Sequence, residues 1–222
     1  MRTHDASTLG PSFPSLARLL RSREIQLDPI PPDAEDRVHA AVSVILREKE
    51  ELELLLIKRA EAEGDPWSGQ MALPGGRRDP SDHHLLETAM RETEEEVALS
   101  LAKAGVSLGR LEATIPATKR LPPIIIFPFV FGVPEDTEAK VSSREVDEVL
   151  WVPLSTLRDP RFASTVEIHY PDAKTRTFPC IRVQGRVIWG LTYRILTGFF
   201  KTLASTPRHL DFISRDLPPT LR

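Results

Sequence analysis

The sequence predicts an α/β domain built on a mixed β-sheet. Residues 38–46, 52–57 and 124–132 are β-branched and apolar runs of strand length. Two amphipathic helical patterns, near 82–97 and 187–204, interrupt and follow those runs. A chain of 222 residues with 41% hydrophobic and 27% charged side chains is long and apolar enough to bury one core, which excludes disorder throughout.

Residues 1–36 read as an N-terminal arm. A two-turn helix is expected around Ser15–Arg21, and the Asp28-Pro-Ile-Pro-Pro run then forces extended backbone. The main domain spans 37–204. Its first strand, 38–46, meets a charged turn at Arg47–Glu51 and returns through 52–57. A polar loop follows at Ala60–Ser68, then a short strand, Met71-Ala-Leu, that enters Pro74-Gly75-Gly76. Ser81 or Asp82 is the expected cap of a helix running to about Val97, with Leu86, Ala89, Met90, Thr93 and Val97 on its core face. Further strand-like segments fall at 110–116, 124–132, 148–152, 165–170 and 176–183. In the second helix, 187–204, Ile188, Leu191, Ile195 and Phe199 recur at helical spacing. Residues 205–222 carry three prolines and little periodicity, and read as a C-terminal tail.

The net charge is −3, so no basic excess offers a grip on a nucleic-acid backbone. No apolar run reaches the roughly 18–20 residues that span a bilayer, and the first 30 residues lack the apolar stretch of a secretory leader. Cys180 is the single cysteine, so no intrachain disulfide forms. That fits a reducing, cytoplasmic location. The 20 prolines are scattered through apolar segments, where they punctuate loops and edges, and no internal repeat stands out.

The chemistry concentrates in Arg91-Glu-Thr-Glu-Glu-Glu-Val-Ala-Leu. On a helical wheel with Glu92 at the origin, Glu95 falls at about −60° and Glu96 at about +40°. Three carboxylates thus share one arc, flanking the apolar stripe, while Glu94 lies on the far side and is solvated. Like charges one turn apart repel. A divalent cation reverses that cost, because Mg²⁺ takes carboxylate oxygens and shares substrate phosphates. Arg91 is one turn before Glu95 and can orient it. Gly75 and Gly76 offer backbone with no side chain in the way of a close approach.

A Pro-Gly-Gly placed before a capped helix that carries this acidic arc resembles the Nudix hydrolase family. Its signature is G-x5-E-x7-R-E-U-x-E-E-x-G-U, with U an aliphatic residue. This chain supplies Gly76, Arg91, Glu92, Glu95, Glu96 and Leu99. It departs in a Gly76–Arg91 interval one residue longer, in Asp82 near the first Glu, in Thr93 for an aliphatic, and in Ala98 for the late glycine. Two flanking segments resemble the coenzyme A pyrophosphatase branch: Leu55-Leu-Ile-Lys-Arg-Ala, and Ser68-Gly-Gln-Met-Ala-Leu-Pro-Gly-Gly-Arg-Arg-Asp. Ile188-Trp-Gly-Leu-Thr-Tyr-Arg-Ile-Leu is similar to that branch's final helix. The branch's usual loop arginine is replaced by the acidic Glu61-Ala-Glu-Gly-Asp-Pro-Trp, and its Phe before Pro-Gly-Gly by Leu73.

The resemblance implies an α/β/α sandwich and hydrolysis of a phosphoanhydride bond in a small-molecule nucleoside diphosphate derivative. Coenzyme A or an acyl-CoA is the first candidate. ADP-ribose, a dinucleotide or a damaged nucleoside triphosphate is the alternative, and a non-catalytic nucleotide-sensing module is a third reading. It implies Mg²⁺ or Mn²⁺ held by Glu92, Glu95, Glu96 and the Gly75 carbonyl, with Arg91 orienting Glu95. Glu145, in a loop before a predicted strand, is the candidate general base, whereas Glu148 reads as a strand start. Arg59, Gln70, Gly76 and Arg77 are candidate substrate contacts, and Arg78, Lys119 and Arg120 are further cations for a 3′-phosphate. A homodimer is compatible with the N-terminal arm and the proline-rich 121–134 segment. Plainer roles are expected elsewhere: His83 and His84 as exposed polar residues, Trp67 as the closure of its loop, Trp189 as core, and Cys180 as a buried strand residue.

Overall fold

The structure is a computed structural model that describes residues 5–24, 37–65, 67–116, 123–169 and 174–204. Strand β1 is Val38–Glu48 and β2 is Leu52–Arg59, followed by the short strands β3 (Met71–Ala72) and β4 (Gly75–Arg77). Then come β5 (Val106–Arg110), β6 (Ile124–Gly132) and β7 (Val146–Pro153). These seven form one sheet, in the order β3-β2-β1-β6-β5, with β4 on β1 and β7 on β2. Only β1 and β6 run parallel, from Val38↔Ile124 to Leu46↔Gly132, so the sheet is mixed as expected. A smaller antiparallel sheet holds β8 (Ala163–His169), β9 (Thr175–Val183) and β10 (Arg186–Trp189).

Helices cover both faces of the large sheet. Those of a full turn or more are α1 (Phe13–Glu24), α2 (Leu85–Val97), α3 (Leu101–Ala104), α4 (Leu154–Arg158) and α5 (Gly190–Ala204). Strands buried on both faces need apolar residues at every position, which is why β1 and β2 read as continuous runs rather than alternations. Val44, Leu46, Leu54 and Leu56 pack in one cluster with Phe13, Leu16 and Leu20 of α1 and with Ile195, Leu196 and Phe199 of α5. Ala41, Ile45, Leu55 and Ile57 point the other way, toward Ala89 and Val97 of α2. The result is the α/β/α sandwich. Residues 13–24 form three turns of helix rather than two, and Glu48 fixes their start by accepting from the Ser12 amide (3.1 Å) and hydroxyl.

Several expectations need correction. The segment 110–116 is not a strand; β5 ends at Arg110, and beyond it the Leu111 amide donates to the Pro128 carbonyl of β6 at 2.8 Å and Thr114 forms a bridge to Ile126. Residues 186–189 are a strand rather than the first turn of α5. A two-residue turn at Gln184 and Gly185, both with positive φ, folds β10 back on β9. Ile188 fitted the helical spacing only by coincidence. Helices α3 and α4 had no counterpart in the reading of the sequence. Neither Ser81 nor Asp82 caps α2, whose first residue is Leu85 and whose N-cap, His84, makes no side-chain bond. Among the described residues no helix is long and apolar enough to cross a membrane. Residues 25–36, 119, 120 and 205–222, on which the extended arm, two candidate cations and the tail fall, lie outside the described residues.

Candidate active site

The Pro-Gly-Gly turn brings β4 against β1, with Val42↔Gly75 and Ala41↔Gly76 in register. Gly75 has φ 149°, and a Cβ there would overlap the Ala41 carbonyl oxygen. Side chains other than glycine are therefore excluded by the neighbouring strand. At Gly76 a Cβ would stand 2.5 Å from the Glu92 carboxylate. The clearance inferred from the sequence is real, and a carboxylate of α2 fills part of it.

The acidic arc of α2 faces this turn. Glu96 is 4% exposed, and its Oε2 accepts from the Gly75 amide at 2.9 Å. Burial, with the Glu92 charge nearby, pushes the Glu96 carboxyl up to about 7. Burial likewise raises Glu92, which the adjacent Arg91 partly offsets. Glu95 is more open, and Glu94 is exposed on the far side. Thr93 is buried; its Oγ1 donates to Ser43 Oγ (2.9 Å), which donates to the Ala89 carbonyl (3.1 Å). Threonine in place of an aliphatic thus pins α2 to β1 with a satisfied pair of hydroxyls.

Arg91 is the hub of the helix. Its Nη1 lies 3.0 Å from Glu92 Oε1 and 3.2 Å from Glu95 Oε2, so the expected i,i+4 pair forms. Nη2 donates to the Arg77 carbonyl at 3.1 Å. Nε and Nη2 grip both oxygens of Asp82, each at 3.1 Å. Asp82 also accepts from the Asp79 amide (2.9 Å) and the Thr88 hydroxyl (2.8 Å). Arg91, with the Asp79 amide and Thr88, holds its carboxyl far below the usual carboxylate range. Asp82 therefore positions the arginine instead of capping the helix.

Arg59 ends β2 opposite α2. It donates to Asp65 Oδ2 at 2.9 Å, and its guanidinium lies 4.0 Å from Glu96 Oε1 and 3.9 Å from Glu145 Oε2. Glu145 sits in the turn before β7, its side chain 71% exposed at the mouth of the site. Glu148 is paired instead with Arg186 of β10. Arg59, Gln70, Gly75, Gly76, Arg77, Glu92, Glu95 and Glu145 line one cleft of about 460 Å³, with Glu96 beneath it and Arg91 beside it. The candidates from the sequence are brought together.

Other residues of the cleft escaped the sequence. Asp65 lines the wall and holds Arg59; its backbone neighbour Trp67 donates to Asp65 Oδ1 at 2.9 Å, which closes the loop as expected while leaving the ring on the cleft wall. The apolar end is built by Met71, Leu73, Ile124, Ile126, Leu191 and Ile195. His83 and His84 are exposed, Cys180 is buried, and Trp189 is half-buried in β10 against Phe178.

The donor set fits a hard divalent cation: oxygen ligands from acidic side chains, with neither thiol nor imidazole among them. The lining alone holds four acids, Asp65, Glu92, Glu95 and Glu145, against the cations Arg59 and Arg77. Among the described residues no three His, Cys, Asp or Glu side chains already stand at metal-binding spacing; Arg91 pairs with Glu92, and the Gly75 amide donates to Glu96.

Residues 37–171 match the family model described as NUDIX domain. An uncharacterized protein of Schizosaccharomyces pombe is 34% identical over 129 residues, which cover 57% of this chain and 39% of that protein. This chain thus spans well under half the length of that relative. An uncharacterized Nudix hydrolase NudL of Photorhabdus laumondii is 33% identical over 187 residues, covering 82% of this chain and 94% of the relative. The crystal structure of a MutT/nudix family protein from Enterococcus faecalis superposes with a TM-score of 0.53 at 16% identity, over 87% of this chain and 71% of that one.

Proposed function

This chain belongs to the Nudix hydrolase family, pyrophosphohydrolases that act on phosphoanhydride bonds, and on that premise we propose that its cleft hydrolyses the diphosphate of coenzyme A or an acyl-CoA. The supporting observation is Glu96. A carboxylate buried against the Gly75 amide and pushed up to about 7 costs folding energy in the free protein, and a bound cation offsets that cost. Nudix hydrolases generally use divalent metal ions, and in this proposal Glu92, Glu95, Glu96 and the Gly75 carbonyl hold Mg²⁺ or Mn²⁺. When bound, the ion neutralises diphosphate charge and makes water a stronger nucleophile at neutral pH.

The chain's own residues then have separate tasks. Arg91, fixed by Asp82, orients Glu92 and Glu95. Arg59 and Arg77 offer guanidinium groups to phosphate oxygens from the cleft wall, where a planar fork suits bidentate binding. Glu145, open to solvent at the mouth, accepts the proton of the attacking water. Gln70 and Gly76 flank the diphosphate, and the apolar end beside α5 takes the less polar arm of the substrate.

A second reading has its own observation. Asp65 already neutralises Arg59, in the same loop whose expected arginine is missing. That favours a diphosphate without a 3′-phosphate, such as ADP-ribose or a dinucleotide. Product analysis with coenzyme A, ADP-ribose, a dinucleotide and an oxidised nucleoside triphosphate, each with Mg²⁺ or Mn²⁺, separates the two. The first reading expects adenosine 3′,5′-bisphosphate and a phosphopantetheine as the fastest products. Equal or faster turnover of substrates lacking the 3′-phosphate sinks it. Glu96→Gln is expected to lower kcat by about 10²–10³-fold in either case, and near parental turnover would refute the metal assignment.

A further inference from the structure

A second cleft, of about 540 Å³, opens between the end of α1, the loop after β5 and the exposed face of α5. Among the described residues four cations line it, Arg23, Arg110, Arg194 and Lys201, against one carboxylate, Glu112. In a chain of net charge −3 such a lining runs against the average. Its floor is apolar, with Leu20, Leu111 and Ile195, and its size suits a small molecule rather than a polymer track. Both helices that build it lie outside residues 37–171, whereas Arg110, Leu111 and Glu112 lie inside, so the cleft forms where the flanks meet the family-matched segment.

Gly198 gives a second observation. It lies inside α5, between Arg194 and Lys201, where glycine is less favourable to a helix than alanine. A Cβ at that position would meet nothing within 4 Å. Packing therefore does not account for the glycine, whereas room for an occupant of the cleft does. Arg194 donates to the Ile115 carbonyl at 3.0 Å through one of its five N–H groups, which steadies the side chain.

We propose that this cleft is a second binding site, separate from the acidic one, for a phosphorylated small molecule of the nucleotide class. The cations hold the phosphates, and the apolar floor carries the base or sugar. Glu112 sits where it repels a phosphate and accepts from a hydroxyl or amino group. The site shares Ile195 with the apolar end of the acidic cleft but uses none of the charged residues assigned to hydrolysis, so it does not rest on that reading.

The test is calorimetric titration of the full chain in EDTA, which removes divalent ions from the acidic cleft. The probes are pyrophosphate, ADP and adenosine 3′,5′-bisphosphate. Saturable binding is expected, with the nucleotides ahead of pyrophosphate and with affinity falling as KCl rises. The paired change Arg194→Gln and Lys201→Gln should weaken ADP by roughly tenfold or more. Glu112→Gln should tighten it, by about 2–5-fold, which a general loss of structure cannot do. Gly198→Leu should raise the melting temperature yet weaken binding. The proposal is overturned if no probe binds at millimolar concentration, if affinity is unchanged in the paired variant, or if single-stranded RNA binds more tightly than any nucleotide.

Discussion

Helices α2 and α5 flank the same sheet and bury different things. From α5 the interior receives Ile195, Leu196, Phe199, Phe200 and Leu203, with Thr192 the one polar residue. From α2 it receives Ala89 and Val97 but also Thr88, Thr93 and the carboxylate of Glu96. A helix that serves only to close a core does not bury an acid beneath a cleft. The contrast separates a helix that brings apolar residues, Leu191 and Ile195, to one end of the cleft from a helix that brings it carboxylates, and it does so before any ligand is considered.

The largest effect expected on that contrast is Phe199→Ala. The ring is fully buried between helix and sheet, and its loss should cost about 3–5 kcal/mol in chemical denaturation. Turnover per folded molecule should hardly change. A fall in kcat matching that of Glu96→Gln would erase the division of labour between the two helices.

Glu96→Gln should have the opposite sign in stability. The folded carboxyl titrates near 7 and an ordinary one near 4.5, because it is buried. A raised acid is free of cost below the lower value, and folding loses stability as pH climbs through the window between the two. At pH 8 without divalent ions the wild-type penalty is on the order of 2–3 kcal/mol. Glutamine still accepts from the Gly75 amide and carries no charge. The variant should therefore melt above the parent at pH 8 and alongside it at pH 4, below the ordinary value. A variant less stable at both values would mean that the carboxylate is held for structure.

The smallest change concerns the end of α2. Ala98 caps the helix in the left-handed conformation, φ 53° and ψ 27°, at the position where the family signature has glycine. Ala98→Gly should stabilise the chain by about 0.5–1 kcal/mol, measured by thermal melting, since glycine adopts that backbone without strain. No gain would indicate that neighbouring packing had already relieved the alanine.

The same division governs what the sequence could reveal. Strands β1, β2 and β6 were legible because burial on both sides leaves an unbroken apolar run, and the acidic arc was legible because helical geometry alone fixes which glutamates share a face. β10 was not, since Ile188 stands three residues before Leu191 and mimics a helical repeat. Gln184 and Gly185, whose φ angles are both positive, make the hairpin turn that intervenes, and the glycine is the one trace of it in the sequence. Asp82 and Asp65 were hidden for another reason. A local rule makes Asp82 a helix cap, and only the folded chain brings Arg91 to it from nine residues away. Asp65 gains its role from Arg59 across a loop whose path no periodicity describes.

The parallel pairing of β1 with β6 sets the timetable by which the molecule assembles. Val38 must find Ile124, and everything between them, including β4 and α2, is enclosed by that closure. Distant pairing of this kind forms slowly, because chain entropy is surrendered before contacts repay it. On the ribosome, Gly75 and Glu96 are both synthesised well before the strand that completes their support. The acidic cleft is therefore completed late, after a period in which bare apolar strands depend on quick compaction to escape aggregation.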